Sequence, residues 1–123
     1  MSELIADGTR KARKAHQCYD CYRPIREGES HYYQTVKGDY IDTIRMHHDC
    51  RKASDFYIKF HDLKYYHFDT DGYPPLADMI SDFGEYMIDH NVLRGHFPHV
   101  VCRLEWHEQM ADLKMEKRRL EEA

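Results

Sequence analysis

A length of 123 residues fits one domain with a modest hydrophobic core. No apolar stretch approaches the roughly 20 residues that a membrane-spanning helix needs, so we expect a soluble, cytoplasmic protein. The net charge of −4 is unevenly distributed: residues 10–52 carry ten Lys and Arg against six Asp and Glu, whereas residues 54–93 carry two against eight. An acidic segment repels phosphate, so a nucleic-acid contact is expected only from the basic half. A solvated surface is the simpler interpretation of both segments.

The N-terminal segment, residues 1–15, is predicted as a basic arm. Residues 1–9 show no periodic pattern, and residues 10–14 form a short basic run of good helix formers. We therefore expect either a short helix or a loose arm that leads to the first cysteine.

Two pairs of residues in the first half have the spacing of zinc ligands. Two residues separate Cys18 from Cys21 and His47 from Cys50, and 25 residues lie between the pairs. A two-residue gap lets a tight turn or the first turn of a helix direct two donors at one ion, at about 2.0–2.3 Å. We therefore predict one structural Zn²⁺ ion held by all four residues. Such a closed Cys3His set leaves no position for a substrate, so the ion is expected to fold the protein rather than to catalyse.

Other uses of these residues remain open. His48 is the rival of His47, although only one residue separates it from Cys50, and His16 and His31 are weaker competitors. Two disulfides are the other use of four cysteines, but an oxidising compartment is unsupported because no apolar signal segment precedes the first cysteine.

A second metal site would need His96, His99 and Cys102 to converge. Positions six apart on a helix diverge by about 120° around its axis, and Pro98 interrupts the segment. We therefore do not expect this site, and Cys102 is instead predicted as a small core residue.

A β-hairpin and a helix are predicted around the second ligand pair. Residues 30–36 and 40–46 are rich in aromatic and β-branched residues, and residues 37–39 supply the turn. From Cys50 onward, apolar residues recur at three- and four-residue steps, which predicts a helix that begins at the last ligand pair. These residues are Ala53, Phe56, Tyr57, Phe60 and Leu63.

The order of these features carries a resemblance to a known class of zinc module. The motif Cys-x-x-Cys, followed by Pro24-Ile25, Gly28-Glu29 and Arg45-x-His47-x-x-Cys50, resembles treble-clef zinc fingers of the PARP-like and LIM-like kind. It is also similar to the motif of small uncharacterised bacteriophage zinc-binding proteins. The resemblance covers residues 12–63 and implies a knuckle, a hairpin and a helix around one zinc ion, without a particular activity. We place this module at residues 16–64.

Two further helices are predicted beyond a turn-rich linker at residues 65–74. Residues 75–123 are interpreted as the helical part of the same domain, so the predicted fold class is α+β. After the paired prolines, an apolar stripe predicts a helix that ends near Asn91. The stripe comprises Leu76, Met79, Ile80, Phe83 and Met87.

The last helix is predicted to begin at Pro98 and to run through Leu120, about 35 Å at 1.5 Å per residue. Its first turns are expected to pack on the core through Val100, Val101 and Leu104, next to Phe97. Beyond them, an apolar seam with heptad-like spacing predicts pairing with a second copy of the chain. The seam comprises Trp106, Met110, Leu113 and Leu120.

The function expected from these features is binding. The first hypothesis is a non-enzymatic adaptor or inhibitor that acts on a host protein or nucleoprotein. The resemblance to phage proteins implies a bacteriophage origin and a target in bacterial defence. The alternative is direct nucleic-acid binding, with Tyr32, Tyr33 and Tyr40 stacking on bases, although hairpin aromatics more often pack across strands. Candidates for phosphate contacts are Arg10, Lys11, Arg13, Lys14, Lys37, Arg45, Arg51 and Lys52.

A divergent metal-dependent nuclease is the third hypothesis. It would use His31, Asp39, Asp42 and His48, since His47 is committed to zinc. The sequence shows no phosphate-cradling glycine loop, nucleophile elbow or His-Glu-x-x-His motif. We therefore expect no enzymatic activity.

Overall fold

The computed structural model describes residues 3–63, 74–83 and 86–122. Within them, five strands precede four helices, which confirms the predicted α+β class. The strands are β1 (Glu3–Lys11), β2 (His16–Gln17), β3 (Pro24–Ile25), β4 (Ser30–Lys37) and β5 (Ile41–Met46). The helices are α1 (His48–Phe60), α2 (Leu76–Phe83), α3 (Tyr86–Arg94) and α4 (Pro98–Glu122). Most of the predicted linker, residues 65–73, lies outside the described residues. None of the described helices is long and apolar enough to cross a membrane.

A three-stranded antiparallel sheet, in the order β1-β4-β5, forms the N-terminal half. The predicted hairpin is confirmed, because β4 and β5 pair from Tyr32 opposite Met46 to Lys37 opposite Ile41. The prediction of a helix or a loose arm before the first cysteine was wrong: residues 3–11 form an edge strand along β4, with a register shift between Leu4 and residue 6. Local pattern could not reveal this strand, because the partner that it has among the described residues, β4, lies 19 to 34 positions further along the chain.

The two faces of the sheet have different neighbours. We call the face that packs on α1 the inner face: Arg51 of α1 lies 5.1 Å from the ring centroid of Tyr32, whose hydroxyl donates to Asp7 at 2.7 Å. Alternate positions point to the opposite, outer face. There the hydroxyls of Thr35 and Thr43 are hydrogen-bonded at 2.9 Å.

The two shortest strands form the knuckle that carries the first ligand pair. His16 pairs with Ile25, and Gln17 pairs with Pro24. The turn between them is closed by a hydrogen bond from the Cys18 amide to a carbonyl five residues on, at 2.9 Å. This short ribbon therefore holds the first two cysteines on one rigid turn.

Two helices occupy the place where one was predicted. Leu76, Met79 and Ile80 are buried as expected, but Met87 is 71% exposed. A new helix begins at residue 86 and ends at Arg94, beyond the predicted stop. The buried face of this helix is not in line with the apolar stripe of α2. It buries residues 89, 90 and 93 instead.

The long last helix is confirmed, and 25 residues at 1.5 Å per residue give a length of about 37 Å. Val100, Val101 and Leu104 are buried, whereas residues 111–122 are all exposed. Cys102 was predicted in the core, but it is exposed. Each residue turns about 100° around the helix axis, so the position after Val101 leaves the buried face.

A buried carboxylate ties α1 to α3. Asp89 is 2% exposed and accepts hydrogen bonds from the Tyr57 hydroxyl at 2.7 Å and from Nε2 of His61 at 3.0 Å. Burial and this acidic partner raise the pKa of Tyr57, so the phenol stays protonated and acts as the donor. The contact satisfies a charge that would otherwise be buried without a donor.

Replacing Tyr57 with Phe removes one of these two donors. We expect Tyr57→Phe to lower the free energy of unfolding by about 1–3 kcal/mol, because the buried carboxylate of Asp89 loses a hydrogen bond. Urea denaturation of the zinc-loaded protein measures the change. Tyr40→Phe is the matched control, since Tyr40 is 84% exposed and should leave stability unchanged. Equal stability of the two variants would contradict this role of Tyr57.

Candidate metal centre

Four buried side chains meet at one point between the knuckle, β5 and α1. Cys18, Cys21, His47 and Cys50 each offer a ligand atom, and these atoms all lie within 4.8 Å of one another. The described residues contain no other such group of three or more.

The spacing of the donor atoms fits a tetrahedral zinc ion. Nδ1 of His47 lies 3.5 Å from Sγ of Cys21 and 3.7 Å from Sγ of Cys50. Bonds of 2.3 Å to sulfur and about 2.05 Å to nitrogen at a tetrahedral angle place the two atoms about 3.6 Å apart. Three cysteines and one histidine are also a donor set that zinc prefers. The predicted single structural zinc ion therefore fits this cluster.

Each ligand is placed by the end of an element. Cys18 and Cys21 lie in the turn between β2 and β3, His47 directly follows β5, and Cys50 lies in the first turn of α1. The His47 amide faces Sγ of Cys18 at 3.4 Å. An N–H donor and a helix N-terminus both stabilise thiolates.

The imidazole of His47 is oriented from its far side. Its Nε2 atom lies 3.2 Å from the carbonyl oxygen of Pro24 and 3.6 Å from the Glu29 carboxylate. A proton on Nε2 donates to these oxygens, which leaves the Nδ1 lone pair directed at the sulfurs. This arrangement selects His47 as a neutral ligand.

The donor atoms lie so close together that each one shifts the pKa of its neighbours. Hydrogen bonds from the side chains of Cys18 and Cys50 lower the pKa of Cys21 to about 3, whereas the hydrogen bonds with Cys18 and Cys21 raise the pKa of Cys50. Burial acts to lower the pKa of His47, but the hydrogen bond and the charge of Cys18 outweigh it, so this pKa is raised. A divalent cation favours the thiolate at every sulfur and the neutral imidazole, so it relieves this competition.

The rival histidines lie outside the cluster. Nε2 of His48 is 3.1 Å from Oγ of Ser30, so the choice of His47 is confirmed. His31 is buried, but its ring nitrogens face the Glu29 carbonyl at 3.3 Å and the guanidinium of Arg45 at 3.1 Å.

An arginine from the last helix contacts the cluster. Arg103 donates to Sγ of Cys50 at 3.2 Å and also bonds the Asp49 carboxylate. Burial acts to lower its pKa, but the hydrogen bond to Cys50 and the nearby negative charges outweigh this, and the pKa is raised. Zinc with three thiolates and one neutral imidazole carries one negative charge, which this guanidinium offsets.

The knuckle also anchors the N-terminus of α2. Oδ1 of Asp20 accepts a hydrogen bond from the Leu76 amide at 3.2 Å, and its carbonyl accepts one from Ala77 at 3.1 Å. Burial and the charge of Cys18 raise the pKa of Asp20 to about 7. Sequence reasoning missed this cap. The only signal was indirect: two prolines precede α2 and offer no capping side chain of their own.

Two further residues of the knuckle also contact the helices. Tyr22, with φ of 63°, donates its hydroxyl to Asp78 at 3.0 Å and lies 4.7 Å from the ring of His107. Arg23 lies 3.6 Å from the ring centroid of Trp106. These pairings join positions more than fifty residues apart, and no sequence pattern indicated them.

The predicted phosphate contacts lie on several different elements. Arg51 and Lys52 belong to α1, and Arg51 pairs with Asp55 at 3.3 Å. Arg45 bonds His31 on the outer face of the sheet. The remaining candidates are exposed, namely Arg10, Lys11, Arg13, Lys14 and Lys37.

The residues of the nuclease hypothesis are dispersed. Asp39 lies in the hairpin turn, Asp42 lies opposite Val36, and His48 begins α1. They form no group with His31 that could hold a cation. The disfavoured second metal site is likewise not assembled within the described chain. The ring of His96 lies 4.8 Å from that of Phe56 in a tilted contact, whereas His99 and Cys102 are exposed.

Only part of the apolar seam predicted for self-association is exposed and free of contacts with the rest of the described chain. Trp106 is 43% exposed and is already engaged by an arginine, and Met110 is half-buried. Leu113 and Leu120 are 56% and 71% exposed and lie seven residues apart.

Comparison with protein-family models, with curated proteins and with solved structures gives no match. The resemblance to PARP-like and LIM-like fingers and to phage proteins therefore stays a prediction.

Loss of a ligand should remove the metal. We expect one zinc ion per purified chain by elemental analysis, and loss of zinc in His47→Ala but not in His48→Ala. Chelation should unfold residues 16–63, because zinc binding of this kind contributes an apparent ~10–16 kcal/mol, comparable with the stability of a domain. Amide NMR spectra with and without chelator measure this. A fully folded chelated protein, or retention of zinc by His47→Ala, would refute the centre.

Arg103 should tighten the metal site from outside the ligand set. We expect Arg103→Ala to weaken zinc affinity about 10–100-fold in competition with a chromogenic chelator, because an outer-shell partner of a thiolate is lost. Arg118→Ala, on an exposed turn of the same helix, is the control. If both variants hold zinc as tightly as the unchanged chain, the contact with Cys50 has no energetic role.

Proposed function

We propose that this is a non-enzymatic, zinc-stabilised binding protein that acts as an adaptor or inhibitor on a protein or nucleoprotein partner. The observation that carries the proposal is the complete donor set. Four ligands, all buried, saturate the ion, so the metal serves the fold and has no open position for a substrate. The dispersed histidines and aspartates of the nuclease hypothesis support the same conclusion.

The partner-binding surface of this proposal lies on the acidic half. Met87 and Ile88 are 71% and 54% exposed at the start of α3, and Met87 lines one groove together with Glu108 and Asp112 of α4. An exposed apolar pair beside carboxylates fits a partner surface that combines an apolar contact with basic side chains.

The distal part of α4 supplies a second contact in this proposal. Residues 111–122 are exposed, and a short isolated helix is only marginally stable in water. Leu113 and Leu120 have heptad spacing, so a second copy of the chain is the occupant that we expect. Self-association would bury this seam and present two partner surfaces.

The biological setting belongs to the proposal as well. A phage-encoded protein in the host cytoplasm, directed at bacterial defence, is the setting that the resemblance of residues 12–63 favours. The binding surfaces do not depend on it.

Affinity capture tests the binding function. The tagged protein should enrich one partner from a lysate, both before and after nuclease treatment. The double substitution Met87→Lys, Ile88→Lys should reduce the amount of captured partner at least about tenfold, because burying an unpaired charge in an apolar contact is costly. Ile41→Lys on β5 is the control, because Ile41 is also 68% exposed but lies outside both proposed contacts. Identical capture by all forms would contradict the assignment.

A further inference from the structure

The outer face of the sheet combines an aromatic ring with guanidinium groups. Arg10 on β1 lies 4.0 Å from the ring centroid of Tyr33 on β4. Arg45 on β5 lies directly opposite Tyr33 in the ladder. The same face carries the bonded hydroxyls of Thr35 and Thr43. We call these five residues the outer-face patch.

The ring of Tyr33 lies close to the sheet backbone. A β-carbon added at Gly8, its partner on β1, would lie 3.4 Å from Cε1 of the ring. Gly8 has φ of 155°, a conformation that side chains rarely adopt. The glycine thus lets the ring pack across β1, where Arg10 holds it.

Both charged residues of the outer-face patch, Arg10 and Arg45, are positive. Among the described residues, Arg10 and Arg45 form no ion pair with a carboxylate. Asp7 of β1 and Asp42 of β5 lie at alternate positions, and Asp7 bonds Tyr32 on the inner face. Lys37 is not counted in the patch, because its ladder partner is Glu3.

The surroundings of the patch extend this positive charge. Exposed Lys11, Arg13 and Lys14 follow Arg10 along the chain. Neighbouring positions on this face hold the small residues Ala6 and Gly8 and the buried His31, which lies opposite Arg10 and bonds Arg45. The result is a shallow surface of hydroxyls, guanidinium groups and one aromatic ring.

We propose that the outer-face patch binds single-stranded nucleic acid. One base stacks on the Tyr33–Arg10 pair, and Arg45 together with the basic residues that follow β1 neutralises the adjacent phosphates. Stacking on an aromatic or guanidinium plane needs an unpaired base, which a duplex does not offer. The inference deepens the proposed binding function, since it names the nucleic-acid part of a nucleoprotein partner.

Fluorescence anisotropy with labelled dT20 and with a duplex of the same length tests this inference. The zinc-loaded protein should bind dT20 more tightly than the duplex. Three phosphate contacts give a slope of about −2 in log affinity against log salt, so binding should weaken about 20-fold between 50 and 200 mM salt. Binding of the duplex as tightly as dT20, or no binding of dT20 at 50 mM salt, would overturn the proposal.

Matched variants locate the surface. Tyr33→Leu should weaken binding about fivefold or more, whereas Tyr40→Leu, at the tip of the same hairpin, should not. Arg10→Glu should weaken it similarly, whereas Arg118→Glu on α4 makes the same charge change far along the chain. Equal effects within either pair would overturn the assignment.

Measuring zinc content and capture of the protein partner distinguishes failure of the nucleic-acid inference from failure of the proposed binding function. If dT20 binding fails while zinc and nuclease-resistant capture persist, only the nucleic-acid inference is lost. If zinc is absent or capture is unspecific, the binding function itself is wrong.

Discussion

Two segments that are distant in sequence, the knuckle and the junction of the hairpin with α1, are held at one point by the cluster of Cys18, Cys21, His47 and Cys50. The knuckle, the end of the hairpin and the start of α1 all supply ligands. The cluster therefore fixes the directions in which these elements extend from the metal centre. Closing such loops costs conformational entropy, and coordination of a divalent ion offsets it.

The helical half shares one hydrophobic core with this centre, and polar contacts add to that packing. Asp20 caps α2, Tyr22 reaches both α2 and α4, and Arg103 returns from α4 to the ligand Cys50. Hydrogen bonds demand defined distances and angles, so these contacts fix the orientation of the helices more closely than apolar packing would. Metal binding and helix docking are therefore expected to be coupled, because Arg103 and Asp20 serve both.

The parts of the fold with local signals were predictable from the sequence. Ligand spacing identified all four donors, aromatic and β-branched residues on both sides of a turn identified the hairpin, and Pro98 with the apolar residues after it identified α4. The strand β1 was missed because its pairing is non-local, and the division into α2 and α3 was missed because a continuous apolar stripe conceals a change of helix phase. Docking contacts such as Arg23 with Trp106 join residues more than eighty positions apart, and no spacing rule covers them.

The register shift between Leu4 and Ala6 bears on how copies of this protein behave when concentrated. An unpaired edge strand with Leu4 and Ile5 exposed would be a template for intermolecular sheet growth. The irregularity disturbs the regular row of N–H and C=O groups on that edge, and the charges of Asp7 and Arg10 further along it oppose stacking of identical strands. The N-terminal strand thus completes the sheet and is at the same time poorly suited to nucleate fibrils.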